Sequence, residues 1–319
     1  MSTQTMTWEG PRSDSDRSAS HVDVAAPMPD RTAPNRTGPD IRCDESDSAK
    51  TTNGGSGCPI HNLLQWDATK SLASRVAVFA FGLLAYVAFF GTILYAMGFV
   101  NNLLVPKSIS SGTGGRLVPS LLINGAFLAL FAIQHTIMAR KWFKQWVTGF
   151  IPPAMERSLF VLLASSILAG MFACWQPLPH IIWDVSNPIL QWSLIAFSFV
   201  GWGIVLYSSF EINHFDLFGL RQVTINMMGQ RYEPVKFRLG GLYRLVRHPL
   251  MLGFLIASWS TPLMTVGHLF YAAMITGYIL FGTAIEERDL VADFGDDYLE
   301  YRRRVPGLLP IPRGKRGVA

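Results

Sequence analysis

Two short clusters of charged and polar side chains flank one apolar stretch of the chain, and together they could bind a zwitterionic ligand. The first is Arg247-His248-Pro249, and the second is Glu286-Glu287. Proline favours the first position of a helix, and a helix N-terminus attracts anions, so the first cluster suits a carboxylate. The two glutamates would suit an ammonium group or the hydroxyls of a sugar. The competing interpretation is structural, because charged residues at span ends often only anchor a helix at the membrane surface.

A second set of polar residues could remove a proton from a nucleophile. His214 and Asp216 stand beside Asn213 at the end of one apolar run, and His135 lies near the end of another. A neutral imidazole can accept a proton near pH 7, and Asp216 or Asn213 could orient the ring of His214. These four are the candidate catalytic residues. Alternatively, they are polar contacts that stabilise a loop or a helix pair.

The composition is typical of a membrane protein. Of the 319 residues, 50% are hydrophobic and 15% are charged, and the mean hydropathy is +0.26. The expected partner is therefore the lipid bilayer. The formal net charge of +5 does not indicate a nucleic-acid partner, because the basic residues lie in short segments between apolar runs. Cys43, Cys58 and Cys174 lack metal-ligand spacing, so we assign no metal site and no disulfide framework.

Six apolar runs predict membrane spans, since a transmembrane helix needs about 20 mostly apolar residues. They are residues 76–100, 117–138, 158–175, 189–212 and two runs within 249–285. The last two are separated around Thr261–His268 and should form a helical hairpin, with His268 structural at its tip. The fold class predicted is therefore all-α and integral to the membrane, with about six transmembrane helices.

The loop charges predict how these spans are oriented. Lys and Arg concentrate in segments 139–156 and 213–248 and after residue 285, whereas the alternate loops carry only Lys107 and Arg116. The positive-inside rule then places both termini and the basic segments in the cytoplasm. The two clusters at the hairpin mouth would thus share one side of the membrane and form a cytoplasmic cofactor pocket.

The domain organisation follows from the same reading. Residues 1–60 contain no Leu, Phe or Tyr, so a polar leader covering 1–70 is expected to be disordered. Residues 71–312 form the membrane domain, in which 243–312 is the cofactor-binding part. Residues 313–319 are a basic tail.

Residues 243–312 resemble the C-terminal half of the isoprenylcysteine carboxyl methyltransferase-like integral membrane enzymes. The resemblance consists of Tyr-Arg-x-Val-Arg-His-Pro, a hairpin, Glu-Glu-Arg-Asp-Leu, Phe-Gly, Tyr-x-x-Tyr and Val-Pro. It implies that S-adenosylmethionine binds at the cytoplasmic end of the last hairpin, and that Met251 replaces a tyrosine common in that family. The cofactor-binding residues it implies are Tyr243, Arg247, His248, Pro249, Leu252, Gly253, Glu286, Glu287 and Tyr298.

Upstream segments narrow the resemblance to the methanethiol S-methyltransferases. These segments are Phe131–Arg140, Glu156–Ser158, Ile212–Gln222, Ser258–Thr265 and Gly267–Leu269. The resemblance covers roughly residues 70–310. It implies SN2 methyl transfer from S-adenosylmethionine to methanethiol, which yields dimethyl sulfide and S-adenosylhomocysteine.

Such a reaction needs a dry pocket, because charge disappears in the transition state when a thiolate attacks a sulfonium. Desolvation also raises the pKa of a thiol, so the site needs a base or a nearby cation. Other acceptors are hydrogen sulfide, other small thiols, or a lipid-linked or carboxyl group of the prenylcysteine type, which would require a long tunnel. Rivals from other classes are a transporter and a bis-His haem protein using the histidines near span ends, which a Soret band would reveal.

Overall fold

The structure is a computed structural model, and it describes residues 66–234 and 240–310. The predictions of a polar leader over most of residues 1–70 and of a basic tail at 313–319 lie outside the described residues.

Within the described residues, five long apolar helices form the body of the structure, and each could cross a membrane by length and composition. They are α1 (Leu72–Asn101), α2 (Leu117–Met138), α4 (Pro153–Cys174), α5 (Pro188–Ile212) and α9 (Val266–Arg304). The shortest of them has 22 residues and so measures about 33 Å, enough for a hydrocarbon core of about 30 Å. The prediction of an all-α integral membrane protein is confirmed.

The structure lengthens the predicted spans mainly at their polar ends. Helix α4 begins at Pro153, which occupies a first-turn position where proline is favoured, rather than at residue 158. Glu156 and Arg157 are therefore helical, although their charges exclude them from a hydropathy-based span. Hydropathy also misses three short helices in the polar segments 139–156 and 213–248, because they carry polar and charged residues. They are α3 (Lys141–Val147), α6 (His214–Leu217) and α7 (Leu220–Met227).

The first arm of the predicted hairpin is a short helix. Helix α8 covers Pro249–Trp259, and its 11 residues extend only about 16 Å. The chain continues through β2 (Leu263–Thr265), which pairs antiparallel with β1 (Ile181–Asp184), and then enters α9. Because β1 follows α4 and β2 precedes α9, the pairing brings two inter-helix connections to one end of the bundle, hereafter the sheet end.

The opposite end carries the basic segments and is hereafter the basic end. There the ion pair between Arg140 Nη1 and Asp289 Oδ2, at 3.0 Å, joins the end of α2 to α9. Lys141 Nζ likewise lies 2.8 Å from Asp293 Oδ1. Helix α9 extends past these pairs and is interrupted at Gly295, whose φ of 55° favours glycine. Its last turns bring Tyr298 and Tyr301 back onto the bundle.

Helices α5 and α8 pack closely because glycines face each other where they cross. A Cβ at Gly201 would lie 2.6 Å from the Ala257 nitrogen and 2.7 Å from the Gly253 oxygen, so only glycine fits. Ser198 Oγ also donates a hydrogen bond of 3.0 Å to the Ala257 carbonyl. Small residues at Ser198, Gly201 and Gly253 thus allow a close helix contact, and this contact positions α8.

Candidate functional site

A cavity of about 640 Å³ runs into the bundle from its basic end. Its volume lies in the range of sites for drug-sized ligands, about 300–1,000 Å³. Most of the lining is apolar and comes from the five long helices and α8. The charged, histidine and tyrosine side chains in its lining are Tyr243, Arg247, His248, Glu286, Tyr298, Tyr301, Tyr271, Tyr278, His135, Arg157 and His214.

One wall of the cavity, formed by α8 and α9 and hereafter the hairpin wall, contains buried polar atoms that make no hydrogen bond within the described residues. The Tyr298 side chain is 5% exposed, and its hydroxyl has no hydrogen-bond partner among the described residues. Glu286 Oε2 is also buried without a hydrogen bond and lies 3.6 Å from His248 Nδ1. Buried polar groups are normally satisfied, so this wall suits a polar ligand that would pair with them.

The beginning of α8 adds a further feature to the hairpin wall. Leu250 and Met251, in its first turn, line the cavity, and no side chain caps this helix start. Amide groups at an uncapped N-terminus favour an anionic partner. Met251, the position at which the sequence departs from the resembled family, therefore faces the cavity.

Arg247 lines the cavity, but its guanidinium group mainly binds other parts of the protein. Its Nε donates to Glu287 Oε1 at 2.9 Å, and a second nitrogen contacts the same oxygen. Its Nη1 donates to the carbonyl oxygens of Arg302 and Val305. Arg247 therefore clamps the end of α9 against the start of α8, and this clamp shapes the hairpin wall.

The two glutamates of the motif have different surroundings. Glu287 is not part of the cavity lining and accepts from Arg247, while His248 Nε2 lies 3.2 Å and Arg302 Nε 3.3 Å from its carboxylate. Glu286 does line the cavity. Adjacent residues on a helix point about 100° apart, which explains why only one faces the ligand space.

The remaining residues expected at the cofactor site lie close to it but have different contacts. Tyr243 lines the cavity, its carbonyl accepts a 2.7 Å hydrogen bond from Tyr301 Oη, and burial raises the pKa of its hydroxyl. The lining does not include Pro249, Leu252 or Gly253. Pro249 begins α8, and Gly253 packs against α5.

His214 lines the cavity, yet both of its ring nitrogens are hydrogen-bonded within the protein. Nδ1 lies 2.8 Å from Ser209 Oγ, and Nε2 lies 2.9 Å from Tyr86 Oη. Ser209 already donates its hydrogen to the Leu206 carbonyl, so Nδ1 must carry the ring proton and Nε2 must accept from Tyr86. Burial lowers the pKa of His214, which keeps the ring neutral near pH 7.

Asn213 and Asp216 hold the chain around His214 and are not in the cavity lining. Asn213 has a φ of 111°, and its side-chain oxygen accepts from the Asp216 amide at 3.1 Å. Asp216 Oδ1 accepts from Arg221 Nη1 and Tyr232 Oη, both at 2.9 Å. Together these contacts fix the sharp turn from α5 into α6.

His135 lies on the part of the cavity lining formed by α2 and α4, hereafter the α2–α4 wall, and its ring contacts that of Tyr278 on α9. Its ring packs 4.7 Å from that of Phe160 and 5.2 Å from that of Phe131. Its Nδ1 is buried and has no hydrogen-bond partner among the described residues. Of the four candidate catalytic residues, the structure therefore brings His135 and His214 to the cavity.

Sequence reasoning missed Arg157 and Tyr278. Both line the cavity, Arg157 from α4 and Tyr278 from α9, and Tyr278 Oη lies 3.4 Å from Thr136 Oγ1 of α2. Arg157 lies inside the segment Glu156–Ser158, which had been noted only for its resemblance. A charge in the first turns of an otherwise apolar span was the available signal. Within residues 66–234 and 240–310, no group of three or more His, Cys, Asp or Glu side chains could hold a metal ion.

Comparison with curated proteins finds several relatives that this chain matches over most of their length. The chain is 48% identical to methanethiol S-methyltransferase 1 of Bradyrhizobium diazoefficiens over 247 residues, covering 77% of this chain and 87% of the relative. It is 45% identical to methanethiol S-methyltransferase of Mycobacterium tuberculosis over 238 residues, covering 75% and 98%. A more distant relative is nurim of Xenopus laevis, 26% identical over 231 residues, covering 66% and 80%. No family model and no solved structure matches the chain.

Proposed function

The chain belongs to the methanethiol S-methyltransferases, which makes it a membrane-embedded methyltransferase, and on that basis we propose that it methylates methanethiol with S-adenosylmethionine. The products are dimethyl sulfide and S-adenosylhomocysteine. The observation that carries this proposal is an identity of 45–48% to enzymes of that name over most of their length. The resemblance of residues 243–312 to enzymes that use this methyl donor supports the choice of cofactor.

The hairpin wall fits a zwitterionic nucleoside such as S-adenosylmethionine. Glu286 Oε2 and the Tyr298 hydroxyl, which are buried and make no hydrogen bond within the described residues, would accept and donate hydrogen bonds to amine or ribose groups. The uncapped start of α8 would receive the carboxylate. When bound there, S-adenosylmethionine supplies an electrophilic methyl group on a sulfonium. Arg247, His248 and Glu287 would act mainly by holding this wall in shape.

The apolar lining between the two walls suits a small thiol and excludes water from it. Charge separation is lost as a thiolate attacks a sulfonium, so exclusion of water favours the reaction. We propose that His135 accepts the proton of the thiol, because this residue lines the cavity and its Nδ1 has no hydrogen-bond partner among the described residues. His214 would instead keep a fixed, neutral surface beside Phe218, since its two nitrogens are already bonded. Asn213 and Asp216 would position that turn.

The test is product formation by the purified protein in detergent. With S-adenosylmethionine and methanethiol, it should release dimethyl sulfide, measured by gas chromatography. His135→Ala should lower the rate about 100-fold or more, as expected for loss of a proton acceptor, with donor affinity retained. Asn226→Ala, which alters a buried polar residue outside the cavity lining, is the control.

Four outcomes would revise the proposal. Donor binding without dimethyl sulfide would reject methanethiol, and methanethiol formed from hydrogen sulfide would identify the smaller acceptor instead. Inhibition by a prenylated cysteine would indicate a lipid-linked substrate. Absence of any binding of S-adenosylmethionine would reject the cofactor assignment.

A further inference from the structure

We propose that the cavity opens sideways into the lipid between α1 and α5, and that this opening receives the hydrocarbon chain of the acceptor. The inference rests on the proposed function and names its substrate class. That class is alkyl thiols dissolved in the bilayer, with methanethiol as the smallest member. The residues that carry the inference are Phe90 and Leu94 of α1 and Phe199, Gly203 and Leu206 of α5, hereafter the lateral opening.

The residues of the lateral opening belong both to the cavity lining and to the outer surface of the bundle. The two phenylalanines and two leucines are between 41% and 52% exposed, Gly203 is also exposed, and all of them line the cavity. Exposure alone is expected where a helix faces lipid, and Leu280 and Phe281 of α9 are exposed without lining the cavity. A residue that does both lies where the cavity meets its surroundings. Within the described residues, the cavity is therefore open between α1 and α5.

Helical spacing places these residues along the two edges of the opening. Phe90 and Leu94 lie about one turn apart on α1, and positions 199, 203 and 206 follow the i, i+4, i+7 spacing of one helix face. A Cβ at Gly203 would meet no atom within 4 Å, whereas one at Gly201 would meet the backbone of α8. The face of α5 that packs against α8 thus differs from the face that borders the opening, and space is left beside Gly203.

The lateral opening lies in the apolar part of the bundle. Near the basic end, Tyr86 Oη is hydrogen-bonded to His214 Nε2 at 2.9 Å, and this bond joins α1 to the turn that follows α5. Phe90 and Leu94 lie about one and two helical turns beyond Tyr86, toward the sheet end. No member of the lateral opening has a polar side chain. The opening therefore suits a hydrocarbon chain and offers nothing to a charged or hydrogen-bonding group.

Methanethiol alone would leave much of the cavity unfilled. The lining residues of α9 extend from Glu286 to Tyr271, about 22 Å along the helix axis. The groups proposed for the donor lie at the basic end, whereas the lining toward Tyr271 is largely apolar and includes Trp202 and Phe172. A molecule with one carbon and one sulfur cannot occupy this length. An alkyl chain can, and its burial is favourable because it leaves water.

The reaction is the same for every member of the class. The thiol gives its proton to His135, and the sulfur forms a bond to the methyl carbon of the donor. The bond between that carbon and the donor sulfur breaks, and its electron pair stays on the donor sulfur. The products are an alkyl methyl sulfide and S-adenosylhomocysteine, and the proton on His135 passes to solvent.

A chain-length series tests whether the cavity is open. Methanethiol, butanethiol, octanethiol and hexadecanethiol are supplied with S-adenosylmethionine to the protein in lipid nanodiscs, and each alkyl methyl sulfide is measured by gas chromatography. Every thiol should be methylated, because a chain that reaches the lipid meets no end wall. A sharp loss of kcat/KM between two chain lengths would show a closed pocket and overturn the inference.

A bulky side chain at Gly203 should block the longer chains selectively. Gly203→Phe should lower kcat/KM for octanethiol about tenfold or more, the usual scale of steric selection in an apolar pocket, and that for methanethiol less than about threefold. The matched control is Gly277→Phe, because Gly277 is an exposed glycine of α9 that also has open space at its Cβ but lies outside the cavity lining. This variant should treat both thiols as wild type does. Unchanged octanethiol kinetics in Gly203→Phe would contradict the proposal.

Equilibrium binding provides a readout that does not depend on turnover. Methyl octyl sulfide is titrated calorimetrically into nanodisc-embedded protein saturated with S-adenosylhomocysteine. Wild type and Gly277→Phe should bind it, while Gly203→Phe and Leu94→Trp, which narrow the opening from its two edges, should bind it about tenfold more weakly or worse. If Gly203→Phe does not fold, Leu94→Trp decides the matter.

The outcomes separate this inference from the proposed function. If wild-type protein methylates methanethiol but neither methylates octanethiol nor binds methyl octyl sulfide, the lateral opening does not receive the acceptor and the proposed function stands. If wild-type protein methylates no thiol at all, the proposed function itself fails.

Discussion

At the scale of single residues, the difference between Glu286 and Glu287 separates ligand binding from structural support. Glu286 lines the cavity and has a buried carboxylate oxygen that makes no hydrogen bond within the described residues. The Glu287 carboxylate instead forms ion pairs with Arg247, His248 and Arg302. The sequence motif predicts a pair of acidic residues at the hairpin mouth. It does not distinguish them, because the rotation of the helix about its axis depends on packing against α8.

This difference predicts that the same substitution weakens ligand binding at one glutamate and lowers stability at the other. Glu286→Gln should weaken S-adenosylmethionine binding about 10- to 100-fold, since a hydrogen bond to a charged group contributes about 1.5–3 kcal/mol, with little change in thermal stability. Glu287→Gln should instead lower the unfolding free energy by about 1–3 kcal/mol, because it deprives Arg247 of its anion. Calorimetric titration and thermal unfolding in detergent measure the two effects. A loss of affinity confined to Glu287→Gln would contradict the assignment.

The residues around His214 show where sequence reasoning stops at this scale. The order Asn213-His214-Phe215-Asp216 correctly predicts a polar group at the end of a span. The hydrogen bonds that occupy both nitrogens of His214 come from Tyr86, more than a hundred residues earlier, and from Ser209 within α5. No pattern in one sequence identifies such a long-range partner, so a histidine suited to accept a proton cannot be told from one already satisfied.

At the scale of secondary-structure elements, hydropathy predicts the long helices but not the contacts that determine where a helix ends. Residues 117–138 are both a predicted span and helix α2, because the apolar run itself determines this helix. The short helix α8 cannot be predicted in this way. The sequence predicts a break around Thr261–His268 but not its structure, in which β2 pairs with β1 from another connection and keeps residues 263–265 extended.

The contact between α5 and α8 can be tested with two neighbouring glycines. Gly201→Ala should destabilise the protein by about 1–3 kcal/mol, the usual cost of overpacking, because its Cβ would meet backbone atoms of α8 within 2.7 Å. Gly203→Ala is the matched control, since a Cβ there meets nothing within 4 Å and alanine favours a helix by about 1 kcal/mol. Thermal unfolding in detergent should therefore rank Gly203→Ala above wild type and Gly201→Ala below it. Equal stabilities would show that the two helices separate easily.

At the scale of the whole molecule, the cavity is formed by several helices that are distant in sequence, and no single motif forms it. The clusters at 243–249 and 286–301 come from one hairpin, while Arg157 and His135 come from α4 and α2. Loop-charge counting predicts that these elements end on the same side, and ion pairs such as Arg140–Asp289 join them there. The sequence thus predicts which residues share an end of the bundle, but the cavity between them depends on side-chain packing.

The orientation of this end relative to the membrane is the last prediction. Because Lys and Arg concentrate at the basic end, we expect it to face the cytoplasm, where water-soluble S-adenosylmethionine would reach the hairpin wall. The native cysteines are replaced by serine, and one cysteine is introduced at Gln145 in α3 or at Ser186 near β1, both exposed. A membrane-impermeant maleimide should label Ser186→Cys in intact cells and label Gln145→Cys only after permeabilisation. Labelling of both in permeabilised cells is the control for reactivity. Labelling of Gln145→Cys in intact cells would reverse the orientation and place the site on the outer side of the membrane.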